Sequence, residues 1–379
     1  MYAMIFLGCS SFVLSLLLTP LIRRLALRLE IVDHPDHDRK IHKVPIPRIG
    51  GVAVVAAAIG AYSCFFLVRM NAGVIIRAGE PFAVRLMPAI AIIFGAGLLD
   101  DIFQVRAAYK LLAQFVAAVL AWECGIHVNA VGGYDLPAIA SFLLTTIWIV
   151  ACSNAINLID GVDGLAAGIG LLAVTTTLAA ALVHHNIELA FATIPLAGAL
   201  LGFLRFNFSP ASIFLGDCGS LTLGFLLGCY GIVWTEKSTT VLSMSAPLMV
   251  LFVPLFDVGL SIVRRFLGQK PIFTADRGHI HHKLLSQGLP PGRVVLILCG
   301  FSALTGIAGL MLTVTQIQSR GLIVAAVLLA ALFGIKYLGY IEIGEKAIFN
   351  RGFDRLLSAP ASFAKFEPEL AASKTLEET

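Results

Sequence analysis

Five clusters of polar residues stand out from a sequence that is otherwise strongly apolar. In chain order they begin at Asp33, Asp100, Asn154, Asn207 and Asp276, and each contains at least one aspartate. Carboxylate and amide oxygens are suitable ligands for a hard cation such as Mg²⁺. The first and last clusters add Lys, Arg and His, whose side chains can bind phosphate. These residue types favour phosphate chemistry assisted by a divalent cation.

The second and fourth clusters each place aspartate directly next to an apolar run. Asp100 and Asp101 are adjacent at the end of an apolar run, where the negative end of a helix dipole disfavours them. Lys110 follows, and Asp217 lies between two glycines before another apolar run. The pair suggests a nearby cation or a carboxylate acting as a base, and Asp217 suggests a phosphate-bridging metal ion. The alternatives are a solvated helix end for the pair and a helix N-cap for Asp217.

The third cluster is the sequence Asn-Ala-Ile-Asn-Leu-Ile-Asp-Gly-Val-Asp-Gly. Its candidate binding residues are Asn154, Asn157, Asp160 and Asp163. The two Asp-Gly steps predict that a helix ends near Asn157 and that the chain then turns. A polar turn between two spans is the alternative, although a turn does not require two asparagines in the preceding apolar segment.

The first and last clusters are basic. The first, residues 33–51, includes His42 and Lys43 and ends in Pro-Arg-Ile-Gly-Gly. It could cradle an anionic group, or its charges could only mark the cytoplasmic side of a membrane. The last cluster could be a transition-metal site or a pyrophosphate clamp, and we favour the clamp because the other polar groups suit phosphate and magnesium. Its candidate residues are Arg277, His279, His281 and His282. Asp257 is a further, isolated carboxylate.

The elements that must position these residues are membrane spans. Of 379 residues, 58% are hydrophobic and 13% charged, about half the charge of a soluble domain, which excludes a soluble enzyme, a disordered chain and a disulfide scaffold. The seven cysteines are scattered, so neither a zinc site nor a disulfide framework is predicted. We predict an all-α polytopic integral membrane protein with about eleven transmembrane helices. They lie at approximately 2–22, 49–68, 83–99, 108–123, 138–156, 164–183, 188–204, 218–235, 241–263, 293–314 and 321–338. The spacings Gly198–Gly202 and Gly224–Gly228 favour close helix packing.

The distribution of Lys and Arg predicts the orientation. Alternate loops hold 22 basic residues on one side and 5 on the other, which together make all 27. By the positive-inside rule the first side is cytoplasmic, so the N-terminus lies outside and the C-terminus inside. All five polar clusters then fall on the cytoplasmic face. We expect one transmembrane catalytic domain at residues 1–340 and a cytoplasmic tail at 341–379.

The sequence thus combines Asp and Asn side chains for a metal ion, basic side chains for phosphate and an adjacent apolar wall. Together they predict the joining of a soluble nucleotide substrate to a lipid phosphate. The order of the five motifs, from about residue 11 to 340, resembles the polyprenyl-phosphate N-acetylhexosamine-1-phosphate transferases, the bacterial WecA/TagO/MraY-like members of glycosyltransferase family 4. The resemblance implies transfer of a sugar-1-phosphate from a UDP-sugar to undecaprenyl phosphate, with release of UMP. It also implies Mg²⁺ as cofactor, with Mn²⁺ as an alternative.

The resemblance also implies roles for individual residues. Asp217 corresponds to a metal ligand, and Asp100 and Asp101 to a pair at the lipid phosphate, one of them a base. His281 and His282 correspond to catalytic histidines near the diphosphate. The implied substrate-binding residues are His42, Lys43, Lys110, Asn154, Asn157, Asp160, Asp163, Phe214 as the uracil-stacking ring, Arg277 and His279.

The implied donor is UDP-GlcNAc, because Asp-Arg-Gly-His-Ile-His-His is similar to the UDP-GlcNAc branch of the family. UDP-MurNAc-pentapeptide, the donor of the peptidoglycan enzyme, is the alternative, and GalNAc or a deoxy-sugar is also open. A different class, a transporter or flippase of an anionic lipid-linked substrate, is disfavoured because the polar clusters gather on one face. The expected partners are UDP-GlcNAc, undecaprenyl phosphate and the lipid bilayer of a bacterial inner membrane. No nucleic acid is expected, and a homodimer is an option.

Overall fold

The computed structural model describes residues 2–34, 44–68, 82–131, 134–236, 249–267, 278–314 and 317–337. Most of these residues are helical. The helices are α1 (Tyr2–Arg28), α2 (Gly50–Leu67), α3 (Phe82–Arg85), α4 (Met87–Phe103), α5 (Ala107–Glu123), α6 (Ala138–Ile159), α7 (Leu165–Val183), α8 (Ile187–Asn207), α9 (Gly216–Glu236), α10 (Phe252–Leu267), α11 (Ile280–Ser286), α12 (Pro291–Val314) and α13 (Ile317–Tyr337).

Seven of these helices, α1, α2, α6, α7, α8, α9 and α12, are long and apolar enough to cross a membrane. The prediction of an all-α, multi-pass membrane protein is therefore confirmed. Each of the eleven predicted spans overlaps at least one described helix, and residues 241–248 of the ninth lie outside the described residues. However, α4 and α5 have 17 residues, α10 has 16, and the apolar part of α13 is Gly321–Gly334, so the count of eleven crossings stays a prediction.

Helix boundaries differ from the predicted ones at a few places. Helix α1 continues to Arg28, six residues beyond the predicted end of the first span. Helix α6 ends at Ile159, near Asn157 as predicted, and the chain then turns, with the Asp160 N–H donating to the Asn157 carbonyl oxygen at 3.2 Å. The predicted tail at 341–379 lies outside the described residues.

Two short antiparallel strand pairs interrupt the helical pattern. Strand β1 (Val32–Asp33) pairs with β2 (Ile46–Pro47), with Val32 opposite Pro47. Strand β3 (Ala130–Val131) pairs with β4 (Tyr134–Asp135) between α5 and α6. The first pair matters for the site, since β2 leads directly into the start of α2.

Small residues allow helices to approach closely, as the glycine spacings predicted. A Cβ at Gly198 on α8 would lie 2.4 Å from the Gly8 carbonyl oxygen of α1, and the Ser11 hydroxyl donates across the same contact to the Pro195 carbonyl at 2.6 Å. A Cβ at Gly224 on α9 would lie 2.6 Å from the Cys152 carbonyl oxygen of α6. These contacts bring backbones together without a side chain between them.

A proline inside α8 is compensated by a tyrosine from α2. Pro195 has no N–H, so the Phe191 carbonyl oxygen lacks its usual intrahelical donor. The Tyr62 hydroxyl donates to that oxygen at 2.8 Å. Satisfying such a freed group matters most in lipid, where no water can replace the missing bond.

The chain divides into two compact units. The larger comprises Met1–Ser261 with Asp276–Leu329, and the smaller comprises Ile262–Ala275 with Ala330–Thr379. All described residues of the candidate site belong to the larger unit. In the smaller unit, the described residues are the C-terminal ends of α10 and α13.

Candidate active site

The site is built around the first turn of α9. Gly216 has φ +75°, a left-handed conformation that glycine adopts without strain. A Cβ at this position would also lie 1.8 Å from the Arg48 carbonyl oxygen, so only glycine fits. Neither Phe214 nor Leu215 before it has a side chain that can cap a helix.

Two carboxylates from other elements bind the free N–H groups of this turn. The Gly216 N–H donates to the carboxyl of Asp160, which follows α6. The Asp217 and Cys218 N–H groups donate to the two oxygens of Asp101 on α4, at 2.8 and 2.9 Å. The positive end of the helix dipole also favours carboxylates here. As a result, α4, α6 and α9 are joined at one point.

The Asp217 side chain faces a lysine and another aspartate. The Lys110 ammonium, at the start of α5, donates to Asp217 Oδ2 at 2.7 Å and to Asp100 Oδ2 at 3.1 Å. All three side chains keep about a fifth of their surface exposed. The alternative in which Asp217 only caps a helix is therefore wrong, because its oxygens contact side chains.

An asparagine holds the other oxygen of Asp217. The Asn157 amide donates to Asp217 Oδ1 at 2.9 Å and to the Ser220 hydroxyl at 2.9 Å. Asn157 lies in the last turn of α6, and Ser220 lies one turn along α9. Both Asp217 oxygens are therefore engaged, which fixes the orientation of the carboxylate.

The turn after α6 contributes two more predicted residues. Asp160 is half-buried, and burial raises the pKa of its carboxyl well above the usual range, an effect that the nearby carboxylates of Asp217 and Asp101 increase. Asp163 accepts a hydrogen bond from the Ala211 N–H at 2.9 Å. It therefore ties this turn to the segment between α8 and α9.

The start of α2 interlocks with the segment before α9. The Gly50 N–H donates to the Phe214 carbonyl oxygen at 2.9 Å, and the Gly51 N–H donates to the Leu215 carbonyl oxygen at 2.7 Å. In the opposite direction, the Phe214 N–H donates to the Pro47 carbonyl oxygen at 2.8 Å. The half-buried Phe214 ring is therefore held on a backbone fixed from both sides.

Asn154 is engaged in a contact between helices. Its side chain and that of Gln114 on α5 donate to each other reciprocally, with Gln114 Nε2 at 3.3 Å from Asn154 Oδ1. Gln114 is one turn from Lys110, and Asn154 is one turn from Asn157. The pair therefore fixes α5 against α6 at the level where Lys110 and Asn157 reach Asp217.

Three histidines form a second group. His279 directly precedes α11, and His281 and His282 lie in its first turn. The rings of His279 and His281 are parallel with centroids 5.7 Å apart, and those of His281 and His282 are 4.3 Å apart. Buried Asp257 of α10 contacts His279 Nδ1 at 2.9 Å and accepts from the Ile280 N–H at 2.9 Å. Asp257 therefore orients the histidine segment and caps α11.

His281 connects this group with the turn after α6. A Cβ at Gly161 would lie 3.2 Å from His281 Nε2, and Gly161 directly follows Asp160. His281 is buried while His282 is exposed. Burial, with a smaller contribution from the charge of His282, lowers the pKa of His281 to about 4, so its imidazole is neutral at pH 7.

Three predicted residues, His42, Lys43 and Arg277, lie outside the described residues. Sequence reasoning missed Gln114, and it included Ser220 and Asp257 among the polar residues without giving either a role. A signal was present for Gln114 and Asp257, since each is a polar residue within a predicted span. Ser220 ends the fourth cluster, but its residue type indicated no role, because serine is common in membrane helices.

The donor set fits a hard divalent cation. In the part of the chain that the structure describes, no group of three His, Cys, Asp or Glu side chains forms a metal cage. Mg²⁺ does not require one, because it is often held by one or two carboxylates together with substrate phosphates and water. The oxygens of Asp100 and Asp217 already bind one positive charge, the Lys110 ammonium. Both carboxylates therefore face a position that a cation can occupy.

Comparison with known proteins identifies relatives along most of the chain. Residues 83–235 match the model of glycosyl transferase family 4. The probable undecaprenyl-phosphate N-acetylglucosaminyl 1-phosphate transferase of Bacillus subtilis (strain 168) is 34% identical over 294 residues, 75% of this chain and 77% of the relative. The decaprenyl-phosphate N-acetylglucosaminephosphotransferase of Mycobacterium tuberculosis (strain ATCC 25618 / H37Rv) is 34% identical over 318 residues, 77% of this chain and 78% of the relative.

A relative with a different named substrate is more distant. The phospho-N-acetylmuramoyl-pentapeptide-transferase of Streptococcus mutans serotype c is 29% identical over 253 residues, 61% of this chain and 73% of the relative. The matched region of the family model contains the Asp100, Lys110, Asn157 and Asp217 cluster in full. On this cluster and these similarities, the protein belongs to glycosyl transferase family 4.

Proposed function

We propose that this protein transfers GlcNAc-1-phosphate from UDP-GlcNAc to undecaprenyl phosphate and releases UMP. The product is the lipid-linked first intermediate of a cell-envelope polysaccharide. The observation that carries the proposal is the convergence of Asp100, Lys110 and Asp217 at the ends of three helices. The Bacillus and Mycobacterium relatives are named as transferases of undecaprenyl phosphate and decaprenyl phosphate. These names support the choice of substrates.

The acceptor half of the reaction takes place near Asp100. A phosphate monoester has a second pKa of about 6 and is largely dianionic at pH 7. Its oxygen attacks the sugar-linked phosphorus of UDP-GlcNAc, a new P–O bond forms, and the bond to UMP breaks. No covalent enzyme intermediate is involved. Asp100 orients the acceptor and takes up its remaining proton, and Lys110 balances the phosphate charge.

Asp217, with Asp100, would hold Mg²⁺, or alternatively Mn²⁺. The ion supplies neutralisation of the negative charge on the diphosphate. Asn157 keeps Asp217 oriented, as its hydrogen bond to Oδ1 supports. Lys110 contacts both carboxylates and can move to a substrate phosphate, since its flexible ammonium can rotate among acceptors.

The donor nucleotide is proposed to lie against the turn after α6. Asp160, Asp163 and the Phe214 ring would bind the uridine, and the fixed backbone around Phe214 supports this role. The histidines, with His281 against Gly161, would contact the diphosphate from the other side. The neutral His281 can donate one hydrogen bond to an oxygen.

We further propose that the site faces the cytoplasm of a bacterial inner membrane, with eleven crossings in total. The support is the split of 22 to 5 basic residues between alternate loops. UDP-sugars are made in the cytoplasm, so this orientation gives the donor direct access.

The deciding experiment incubates purified protein with UDP-[¹⁴C]GlcNAc, undecaprenyl phosphate and Mg²⁺. Label should move into the organic phase as a lipid diphosphate, with one UMP released for each product. Transfer from UDP-MurNAc-pentapeptide and none from UDP-GlcNAc would overturn the donor. Movement of a lipid-linked sugar across proteoliposomes, without any transfer, would overturn the enzyme proposal in favour of a transporter.

A further inference from the structure

Asp100 and Asp101 are adjacent in sequence but contact different groups. Successive residues on an α-helix point about 100° apart, so the two carboxylates cannot face one ligand in the same way. Asp100 contacts the Lys110 ammonium, whereas Asp101 is buried with 3% of its surface exposed. Asp100 and Asp101 should therefore have different roles in the reaction.

Both oxygens of Asp101 are occupied by backbone. Oδ1 accepts from the Asp217 N–H at 2.8 Å and Oδ2 accepts from the Cys218 N–H at 2.9 Å. A helix usually obtains this cap from the side chain of its own N-cap residue. Here Gly216 and the residues before it offer none, so the cap comes from α4.

The packing around this contact leaves little freedom. A Cβ at Gly97, one turn before Asp101, would lie 2.5 Å from the Asp217 carbonyl oxygen. The backbones of α4 and α9 are therefore already in contact where the cap forms. Rotation of the first turn of α9 would break both hydrogen bonds and move the Asp217 side chain.

The geometry points to Asp101 as a positioning residue, whose carboxylate holds the first turn of α9 so that Asp217 faces Lys110 and Asn157. This inference rests on the proposed function, since Asp101 positions Asp217 for the transfer proposed above. It separates Asp101 from Asp100, which reaches the reacting groups. Asp101 is neither the base nor a metal ligand.

Hydrogen–deuterium exchange tests the cap without any substrate. In Asp101→Asn, the peptide covering residues 214–222 should exchange about tenfold faster, the factor expected for loss of a helix cap. Asp101→Ala, which removes both acceptors, should show a larger increase. The matched control is Asp100→Asn, in which the same peptide should exchange at the wild-type rate. Unchanged exchange in both Asp101 variants overturns the inference.

Kinetics provides the second readout. A misplacement of about 1 Å can lower a rate 10²-fold, so kcat of Asp101→Asn should fall by roughly that factor while the KM for UDP-GlcNAc changes little. Its pH–rate profile should keep the wild-type shape, because Asp101 exchanges no proton in the reaction. Loss of the acidic limb in Asp101→Asn would make Asp101 the base and overturn the inference.

The two proposals fail in different ways. Wild-type protein without transfer activity but with faster exchange in Asp101→Asn would contradict the proposed function and leave the cap established. Active wild-type protein with unchanged exchange would contradict the cap alone. If Asp101→Ala is not recovered folded, Asp101→Asn, which keeps one acceptor oxygen, decides the question.

Discussion

The Lys110 ammonium lies 2.7 Å from Asp217 Oδ2, although 107 positions separate the two residues in the sequence. The same nitrogen is 3.1 Å from Asp100 Oδ2. One cation is therefore shared by two carboxylates that come from different helices. This arrangement makes the lysine the electrostatic centre of the cluster.

Replacing Lys110 by Gln should lower kcat by about 10²–10³-fold, the usual effect of removing one group that stabilises charge in a transition state. Both carboxylates would then face each other without a cation. Single-turnover transfer of labelled GlcNAc-1-phosphate measures the change. Arg106→Gln, at an exposed position one turn before Lys110, is the control and should keep near wild-type activity. Equal losses in both variants would indicate a general effect of positive charge.

Asp217→Asn should abolish nearly all transfer, because the variant keeps the shape of the side chain but loses the charge that would hold a metal ion, which is worth several kcal/mol in the barrier. Activity is measured across a Mg²⁺ titration, with Tm in detergent as the check on folding. Substantial activity at an unchanged Mg²⁺ dependence would move the metal site to Asp160 or Asp163.

Asp100→Asn should lower kcat by about 10²–10⁴-fold, the usual contribution of a general base, and leave the binding of UDP-GlcNAc nearly intact. Isothermal titration with UDP-GlcNAc and steady-state kinetics measure the two quantities. The competing route, in which an aspartate captures the phospho-sugar first, predicts exchange of labelled UMP into UDP-GlcNAc without lipid. Exchange that disappears in Asp100→Asn would contradict the direct transfer.

The pKa of His281 predicts how stability depends on pH. Its value of about 4 in the folded protein lies below the ordinary value of about 6.5, so the unfolded chain binds the proton more readily. The stability due to neutral His281 is therefore complete above about pH 6.5 and is lost as the pH falls toward 4. Tm should fall between pH 7 and pH 5, and His281→Gln should make that fall shallower. The same slope in both proteins would assign it to other groups.

Cysteine labelling tests the orientation. The four cysteines that are not buried, Cys9, Cys64, Cys124 and Cys299, are first replaced by Ser. Exposed Tyr109, at the site end of α5, and exposed Tyr134, at the opposite end, are then changed to Cys one at a time. A membrane-impermeant maleimide added to spheroplasts should label Tyr134→Cys and leave Tyr109→Cys unlabelled. The reverse pattern would place the site outside.

The sequence was sufficient to predict which segments meet. Each polar cluster follows or precedes an apolar run, and the distribution of basic residues predicted that the helix ends carrying Asp100, Asn157 and Asp217 lie on one face. That prediction requires only the apolar runs and the basic residues in the loops between them. The types of residue also indicated phosphate and a hard cation before any contact was known.

The contacts themselves could not be predicted in the same way. They depend on how far each helix rotates about its axis, and many residues of the packed interface set that angle. The division of labour between Asp100 and Asp101 is one example. The pairing of Asn154 with Gln114 and the support of His279 by Asp257 are others, because each partner lies on a different helix.

The interlocked backbones of α2 and α9 have a consequence for the order of assembly during synthesis. Gly50 and Gly51 find their acceptors only at Phe214 and Leu215, about 160 residues later in the chain. At roughly 5–20 residues per second, a ribosome needs on the order of 10–30 s to make that stretch. During this interval α2 is already available while its partner does not exist. The backbone contacts between the start of α2 and the segment before α9 can therefore form only after Phe214 and Leu215 have been synthesised.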